Sequence, residues 1–163
     1  MNPSADRFAD YAGLTPPETQ EQFEQNVQDM LQLLRDANDG SIMTLCVPEL
    51  IEADFAARSL TLCYTLAPWM RNFSGALHGG MLATFADSSF GLLGRCLAGQ
   101  TGIVTSNLNI NYLRGVRMDA PLYLRARAEH LGRSTVSLYG TGWQDGAQAD
   151  PCVSATGTFF LLR

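Results

Sequence analysis

The feature that most constrains this chain is the segment from Leu77 to Ala98, LHGGMLATFADSSFGLLGRCLA, which predicts one long helix opening at His78-Gly79-Gly80. Its only formally charged residues are Asp87 and Arg95, and apolar or small side chains occupy every face, a pattern typical of a helix that is buried all round. A buried carboxylate without partners costs several kcal/mol. Asp87 is therefore either a structural carboxylate, paired for example with Arg95, or part of a site that needs a carboxylate.

The start of this helix is a second candidate feature. Its first free backbone N–H groups and the positive end of the helix dipole form a receptor for developing negative charge. Gly79 and Gly80 have no side chain, so a substrate carbonyl can approach those groups closely. From His78 to Asp87 the helix advances roughly 13 Å and rotates by about two and a half turns, so the two residues lie on opposite sides of it. A site that uses both residues therefore needs a second copy of the chain.

These residues have a specific spacing: Asn72 and Gly75 precede the His78-Gly79-Gly80 triplet, Asp87 follows it, and the run TSNLNINYL comes at Thr105–Leu113. The pattern resembles the hot-dog-fold acyl-CoA thioesterases of the phenylacetate-pathway (PaaI-like) type, over roughly residues 43–162. The resemblance implies an α+β hot-dog fold with a long central helix wrapped by an antiparallel β-sheet. It also implies homodimers or homotetramers with thioester sites at the dimer interface. The departures are an N-terminal arm of about 40 residues and Gly115, where the family often has proline.

The resemblance further implies roles for individual residues. The Gly79 N–H would hold the thioester oxygen, Asn72 would polarise the carbonyl or place a water, and His78 would orient the loop and the substrate. Asp87 of the partner chain would act as general base or as nucleophile, two alternatives that the sequence leaves open, with Thr105 beside it. Other expected positions are substrate contacts at Gly80, Phe85, Arg114, Arg133 and Ser134, and an apolar slot lined by Trp69, Met81, Phe85 and Phe90.

Residues 1–40 predict a helical arm ahead of a hot-dog domain at residues 41–163. Thr15-Pro16-Pro17-Glu18 is typical of a capping box with proline at the first helical position, and Asn38-Asp39-Gly40 ends the helix. A regulatory lid over the acyl slot is one possible role for this arm. The simpler expectation is that its apolar stripe packs on the sheet of the domain or on a neighbouring subunit; the stripe consists of Phe23, Val27, Met30, Leu31 and Leu34.

The remaining segments predict strands on both sides of the central helix. Residues 41–69 contain two strand-like runs, and further runs cover residues 103–112, 122–129, 134–143 and 152–162. Simple alternation places His130 at the edge of the core, on the face of Leu122 and Leu124. The same rule places four polar residues on one face of a single strand: Thr105, Asn107, Asn109 and Asn111.

Composition and charge limit the class of protein. The 163 residues, 46% hydrophobic and 17% charged, suit one soluble domain. No apolar run reaches membrane-spanning length and the N-terminus lacks a signal-peptide pattern, so a cytoplasmic location without a membrane partner is expected. The four cysteines are widely spaced, which argues against a metal site or disulfides. No cofactor is expected, because coenzyme A would be part of the substrate.

The charges are unevenly distributed along the chain. Residues 1–57 hold two arginines and eleven acids, whereas residues 58–163 hold nine arginines and five acids. Arginine suits phosphate groups, so the basic part fits a phosphorylated ligand such as coenzyme A, although a solvated arginine-rich surface gives the same pattern. The chain has no basic run interleaved with aromatic residues, and nucleic acid is not an expected partner.

The sequence therefore predicts an enzyme, an acyl-CoA thioesterase that hydrolyses a small aryl- or medium-chain acyl-CoA to the free acid and coenzyme A. Two alternatives stay open. One is a non-catalytic acyl-CoA-binding hot-dog module, and the other is a hot-dog dehydratase or hydratase acting on hydroxyacyl thioesters. The second alternative needs a His with an Asp or Glu in a different local motif, which this chain lacks.

Overall fold

The computed structural model of the protein describes residues 14–99, 102–146 and 150–162. Over these residues a six-stranded antiparallel sheet, in the order β1-β2-β4-β5-β6-β3, wraps one long helix. This arrangement confirms the predicted α+β fold. The elements are α1 (Gln20–Ala37), α2 (Ile42–Leu45), β1 (Glu49–Asp54), β2 (Ser59–Tyr64), α3 (Gly79–Ala98), β3 (Gly102–Tyr112), β4 (Leu122–Leu131), β5 (Thr135–Trp143) and β6 (Val153–Leu162).

The core lies between α3 and the inner face of the sheet. Phe90 of α3 is fully buried and meets Phe159 of β6 edge to face, with ring centroids 6.4 Å apart. Gly140 and Gly157 make room for this ring, because a Cβ on either would lie 2.7 or 2.8 Å from Phe90. The sheet can therefore approach α3 closely at the point where the Phe90 ring packs against it.

One side of α3 remains open, so the prediction of a helix buried on every face is wrong for the single chain. A stripe of mostly small or polar residues, at most four positions apart, is only partly buried in the single chain. Asp87 lies on this stripe, which spares its carboxylate the cost of full burial. The stripe consists of Met81, Thr84, Asp87, Ser88, Gly91 and Arg95.

Helix α1 begins later than the capping-box pattern predicts. Its N-cap is Thr19, whose Oγ1 accepts a hydrogen bond from the Gln22 N–H at 3.2 Å, rather than Thr15. Thr15 precedes Pro16, and the residue before a proline is disfavoured in the helical conformation. The helix ends where predicted, at Asn38 in the left-handed conformation. Its predicted apolar stripe is confirmed as buried and packs α1 on β1 and α3 of the same chain.

Two β-bulges overturn the faces that simple alternation assigned. In β3 the register shifts between Thr105 and Asn107, so Thr105 faces α3. In β4 a shift between Ala128 and His130 leaves His130 exposed, opposite Ser137, instead of at the core edge. An extra residue in one strand reverses the alternation beyond it. In β3 the residues beyond the bulge, Asn107, Asn109 and Asn111, lie on the outer face of the sheet. They stand opposite Thr158, Thr156 and Ser154 of β6.

A buried polar pair links β2 to α3 and supplies a stability test. The Ser89 hydroxyl lies 2.8 Å from the Tyr64 hydroxyl, which donates to the Phe85 carbonyl at 3.3 Å, and burial raises the pKa of Tyr64 far above its ordinary value. Tyr64→Phe should lower the free energy of unfolding by about 1–2 kcal/mol, because Ser89 then lacks its partner in the core. Urea unfolding checks this, with Tyr139→Phe at an exposed position as control. Equal stability of the two variants would contradict the prediction.

Candidate active site

The loop before α3 is organised by Asn72. Its Oδ1 accepts hydrogen bonds from the Ser74 N–H (2.9 Å), the Ser74 hydroxyl (2.7 Å) and the Ala76 N–H (3.2 Å). Gly75 completes the turn with φ +86°, a left-handed conformation that favours glycine. Within the described residues the Asn72 side-chain NH₂ has no partner, so it is this group, rather than the oxygen, that remains for a substrate or a water.

His78 is the N-cap of α3. Its Nδ1 accepts a hydrogen bond from the Gly80 N–H at 2.9 Å, which assigns the ring proton of the neutral imidazole to Nε2. The Met81 and Leu82 N–H groups donate to the His78 carbonyl. The Gly80 N–H is therefore already used, and in the part of the chain that the structure describes, the Gly79 N–H is left without a partner at the start of the helix. Of the backbone N–H groups that the sequence predicted to bind developing negative charge at the helix start, the Gly79 N–H is therefore the one that remains available.

Tyr112, at the end of β3, is a site residue that the sequence reasoning missed. Its hydroxyl donates to the Gly79 carbonyl at 3.1 Å, and a Cβ on Gly79 would lie 3.3 Å from its Cε1. The ring thus packs on the peptide that follows the free N–H and holds it in place. Simple alternation already places Tyr112 on the face of Leu108 and Ile110, but nothing in the sequence indicated that its hydroxyl reaches the start of α3.

Asp87 forms a second group with Thr105. The Thr105 hydroxyl donates to Asp87 Oδ1 at 2.8 Å. Among the described residues Asp87 makes no ion pair with Arg95, which removes the structural pairing considered from the sequence. The carboxylate is half-buried on the open stripe of α3, and its second oxygen remains for a water or a carbonyl carbon. The group has the geometry of a positioned base or nucleophile.

One chain does not bring these two groups together. The Gly79 N–H and Asp87 lie on the same straight helix, eight residues apart, which corresponds to about 12 Å along the axis. The structure thus holds two half-sites, one at the helix start with Asn72, His78 and Tyr112, and the other at Asp87 and Thr105. If both groups act in one site, a second copy of the chain must supply one of them.

The remaining expected substrate contacts divide into three groups. Phe85 is fully buried and stacked on Tyr64 at 4.3 Å, and Phe90 is also in the core, so neither lines an open slot in the single chain. The guanidinium of Arg114 forms an ion pair with the carboxylate of Asp150, so this expected substrate contact is already occupied within the chain. Arg133 and Ser134 are exposed in the β4–β5 turn, and Trp69 and Met81 are at least partly exposed.

Comparison with known proteins agrees with this architecture. Residues 74–149 match the family model of the thioesterase superfamily. The acyl-coenzyme A thioesterase THEM4 of Bos taurus is 33% identical over 72 residues, which are 44% of this chain and 28% of that protein. The chain thus spans little more than a quarter of the length of this curated relative. Within the described residues no helix combines the length and hydropathy of a membrane span.

Solved structures extend the likeness over most of the chain. A phenylacetic acid degradation-related protein from Ralstonia eutropha JMP134 superposes with a TM-score of 0.71 and 26% identity, over 83% of this chain and 99% of its own. A mutant of thioesterase PA1618 from Pseudomonas aeruginosa gives 0.70 and 26%, over 81% and 93%. The smu.793 protein of Streptococcus mutans shares the fold at 23% identity, with a TM-score of 0.61 over 70% and 87%. The resemblance drawn from the sequence is thus confirmed: the chain is similar in sequence and fold to hot-dog-fold thioesterases of the PaaI-like type.

Proposed function

We propose that this protein hydrolyses acyl-CoA thioesters, with small aryl or medium-chain acyl groups as substrates. The observation that carries the proposal is the pair of half-sites: a free Gly79 N–H at a helix start and an Asp87 carboxylate oriented by Thr105. Thioester hydrolysis needs one group for the developing oxyanion and one for the nucleophile. The thioesterase superfamily model that residues 74–149 match, and the acyl-CoA thioesterase that the chain partly matches, support the same chemistry.

In the proposed reaction the thioester oxygen accepts a hydrogen bond from the Gly79 N–H, where the helix dipole stabilises the negative charge that develops on it. The Nε2–H of His78 and the free NH₂ of Asn72 point from the same loop and orient the substrate and the attacking water. Asp87 either removes a proton from that water or attacks the carbonyl carbon itself. The C–S bond then breaks, and the thiolate takes up a proton to give coenzyme A. If water is the nucleophile, the free acid forms in this step. If Asp87 is the nucleophile, a water must next hydrolyse the acyl–Asp87 anhydride, which releases the free acid and restores the carboxylate.

The proposed site is shared between two protomers, because Gly79 and Asp87 of one chain are about 12 Å apart. Two-fold symmetry then makes two identical sites per dimer. β3 is an edge strand of the sheet, and Thr105 lies on it, so pairing of two such edges would bring Asp87 of one chain toward the partner's helix start.

The coenzyme A part of the substrate carries phosphates and needs cationic partners. Arg71 directly precedes Asn72, is exposed, and makes no ion pair within the described residues, so it supplements the predicted Arg133 and Ser134 as a phosphate contact. The structurally similar protein of Streptococcus mutans was solved with acetyl-CoA bound, which supports this ligand class for the fold.

A panel of acyl-CoA substrates tests the proposal directly. We expect release of free thiol from at least one aryl- or medium-chain acyl-CoA, measured with a chromogenic thiol reagent, at a rate well above that of the uncatalysed reaction. Phenylacetyl-, benzoyl-, butanoyl-, octanoyl- and decanoyl-CoA cover the expected range. Binding of these ligands without turnover of any of them would contradict the enzyme proposal and favour the acyl-CoA-binding module.

A further inference from the structure

The short helix α2 presents an apolar surface to the exterior. Ile42, Met43 and Leu45 are 42%, 40% and 55% exposed, and none of the residues of α2 is charged. The sequence analysis assigned this region to a strand, but a helical turn forms because Asp39 Oδ1 accepts hydrogen bonds from the Ser41 N–H and the Thr44 hydroxyl, at 2.9 and 3.0 Å. The polar side of the turn is satisfied locally, which leaves the apolar side facing outward.

This surface lies beside the candidate carboxylate. The Ser88 hydroxyl donates to the Met43 sulfur at 3.4 Å, and Ser88 directly follows Asp87 on the open stripe of α3. The segment that carries α2 is anchored at both sides: α1 is buried against α3 and β1, and Arg35 donates to the Pro48 carbonyl at 3.1 Å. Met43 is therefore held against Ser88, the residue that follows Asp87 on α3.

We propose that Met43, with Ile42 and Leu45, forms the wall that receives the acyl chain and sets its length. This inference rests on the proposed function, since it places the carbonyl carbon at Asp87. An acyl chain that leaves this point has an uncharged, apolar surface beside it at α2, and methionine adapts its shape to ligands of different lengths. Each methylene that packs on such a wall strengthens binding by about fourfold.

The inference assigns a role to the N-terminal arm, which is the main departure of this chain from the family pattern. The buried stripe of α1 docks the arm on the domain, and the arm continues through Asn38 and Asp39 into α2. The arm would thus fix the position of the pocket wall at α2 rather than form a separate module.

The test compares Met43→Ala and Leu45→Ala with Ile51→Ala as the matched control, because Ile51 is an equally exposed apolar residue (52%) on β1, at the opposite edge of the sheet from β3. The measured quantity is kcat/KM over a series of straight-chain acyl-CoAs from acetyl to decanoyl. We expect Met43→Ala to lower kcat/KM for octanoyl-CoA by about tenfold and to leave acetyl-CoA within about twofold of wild type. Ile51→Ala should reproduce the wild-type profile.

If kcat/KM depends on acyl chain length in the same way for Met43→Ala, Leu45→Ala and Ile51→Ala, the inference is wrong, whereas the proposed function stands. A change of oligomeric state in the α2 variants, seen by sedimentation without a change in chain-length preference, would also overturn it, because α2 would then contact a second copy. If the wild type hydrolyses no acyl-CoA, the proposed function fails instead. Calorimetric titration with acetyl- and octanoyl-CoA then decides the inference separately, since weaker binding of octanoyl-CoA alone by Met43→Ala supports the wall and equal binding contradicts it.

Discussion

Asp87→Asn should lower kcat by about 100-fold or more while leaving the protein folded. The substitution removes the negative charge that a general base or nucleophile needs. It keeps the size of the side chain, and the Asn oxygen can still accept the hydrogen bond that the Thr105 hydroxyl donates at 2.8 Å. Because Asp87 lies on the open stripe of α3, its neutralisation leaves no unsatisfied charge in the core. Steady-state kinetics on the best substrate of the acyl-CoA panel provide the measurement.

Asp36→Asn is the matched control for this experiment. Asp36 is an exposed carboxylate on α1 that accepts a hydrogen bond from Gln32, and it lies outside both half-sites. We expect its kcat to stay within about twofold of wild type. If Asp87→Asn instead unfolds yet keeps wild-type activity per folded molecule, Asp87 has a structural role and the catalytic assignment is wrong. Circular dichroism and thermal unfolding of all three proteins distinguish the two cases.

The second large effect is rescue between two inactive variants. Asp87→Asn removes the carboxylate half-site, and Asn72→Ala removes the acceptor that holds Ser74 and Ala76 in the loop before α3. Asn72 belongs to the same half-site as Gly79. If one site combines this half-site of one chain with Asp87 of its partner, a mixed dimer contains one site in which Asn72 and Asp87 are both wild type and one site in which both are replaced. An equal mixture that has exchanged subunits should therefore recover roughly a quarter of wild-type activity, since about half of its dimers are mixed.

Subunit exchange is achieved by mild unfolding and refolding of the mixture, and native mass spectrometry verifies that mixed dimers have formed. Each variant taken alone through the same procedure is the control and should stay inactive. A site built within a single chain predicts a different outcome, because every site would then carry one of the two lesions. Activity that stays at the level of the separate variants, with exchange verified, would contradict the shared site.

Much of the fold could be predicted because it depends on local patterns. The apolar run from Leu77 to Ala98 predicted α3 to within two residues, and period-two alternation located the strands after it. The stripe of α1 was also predicted correctly, since helical spacing of apolar residues is visible in the sequence itself. Helix starts and short turns were less accurate. Thr19 rather than Thr15 caps α1. Both strands predicted within residues 41–69 form, as β1 and β2, but the first residues of that run form α2 instead, where Asp39 accepts hydrogen bonds from Ser41 and Thr44.

The sequence by itself therefore determined the central helix and most of the strands, and it indicated the family resemblance and the candidate residues, since spacing along the chain carries that information. The resemblance already implied Thr105 beside Asp87, but only the tertiary structure decided how these residues meet. The bulge after Thr105 turns its hydroxyl toward Asp87, and no residue in the sequence of β3 predicts that bulge. Likewise, the hydrogen bond from Gly80 to His78 leaves only the Gly79 N–H free. The physical reason is that a one-residue shift in strand register reverses every face beyond it, and that shift is set by packing between distant segments.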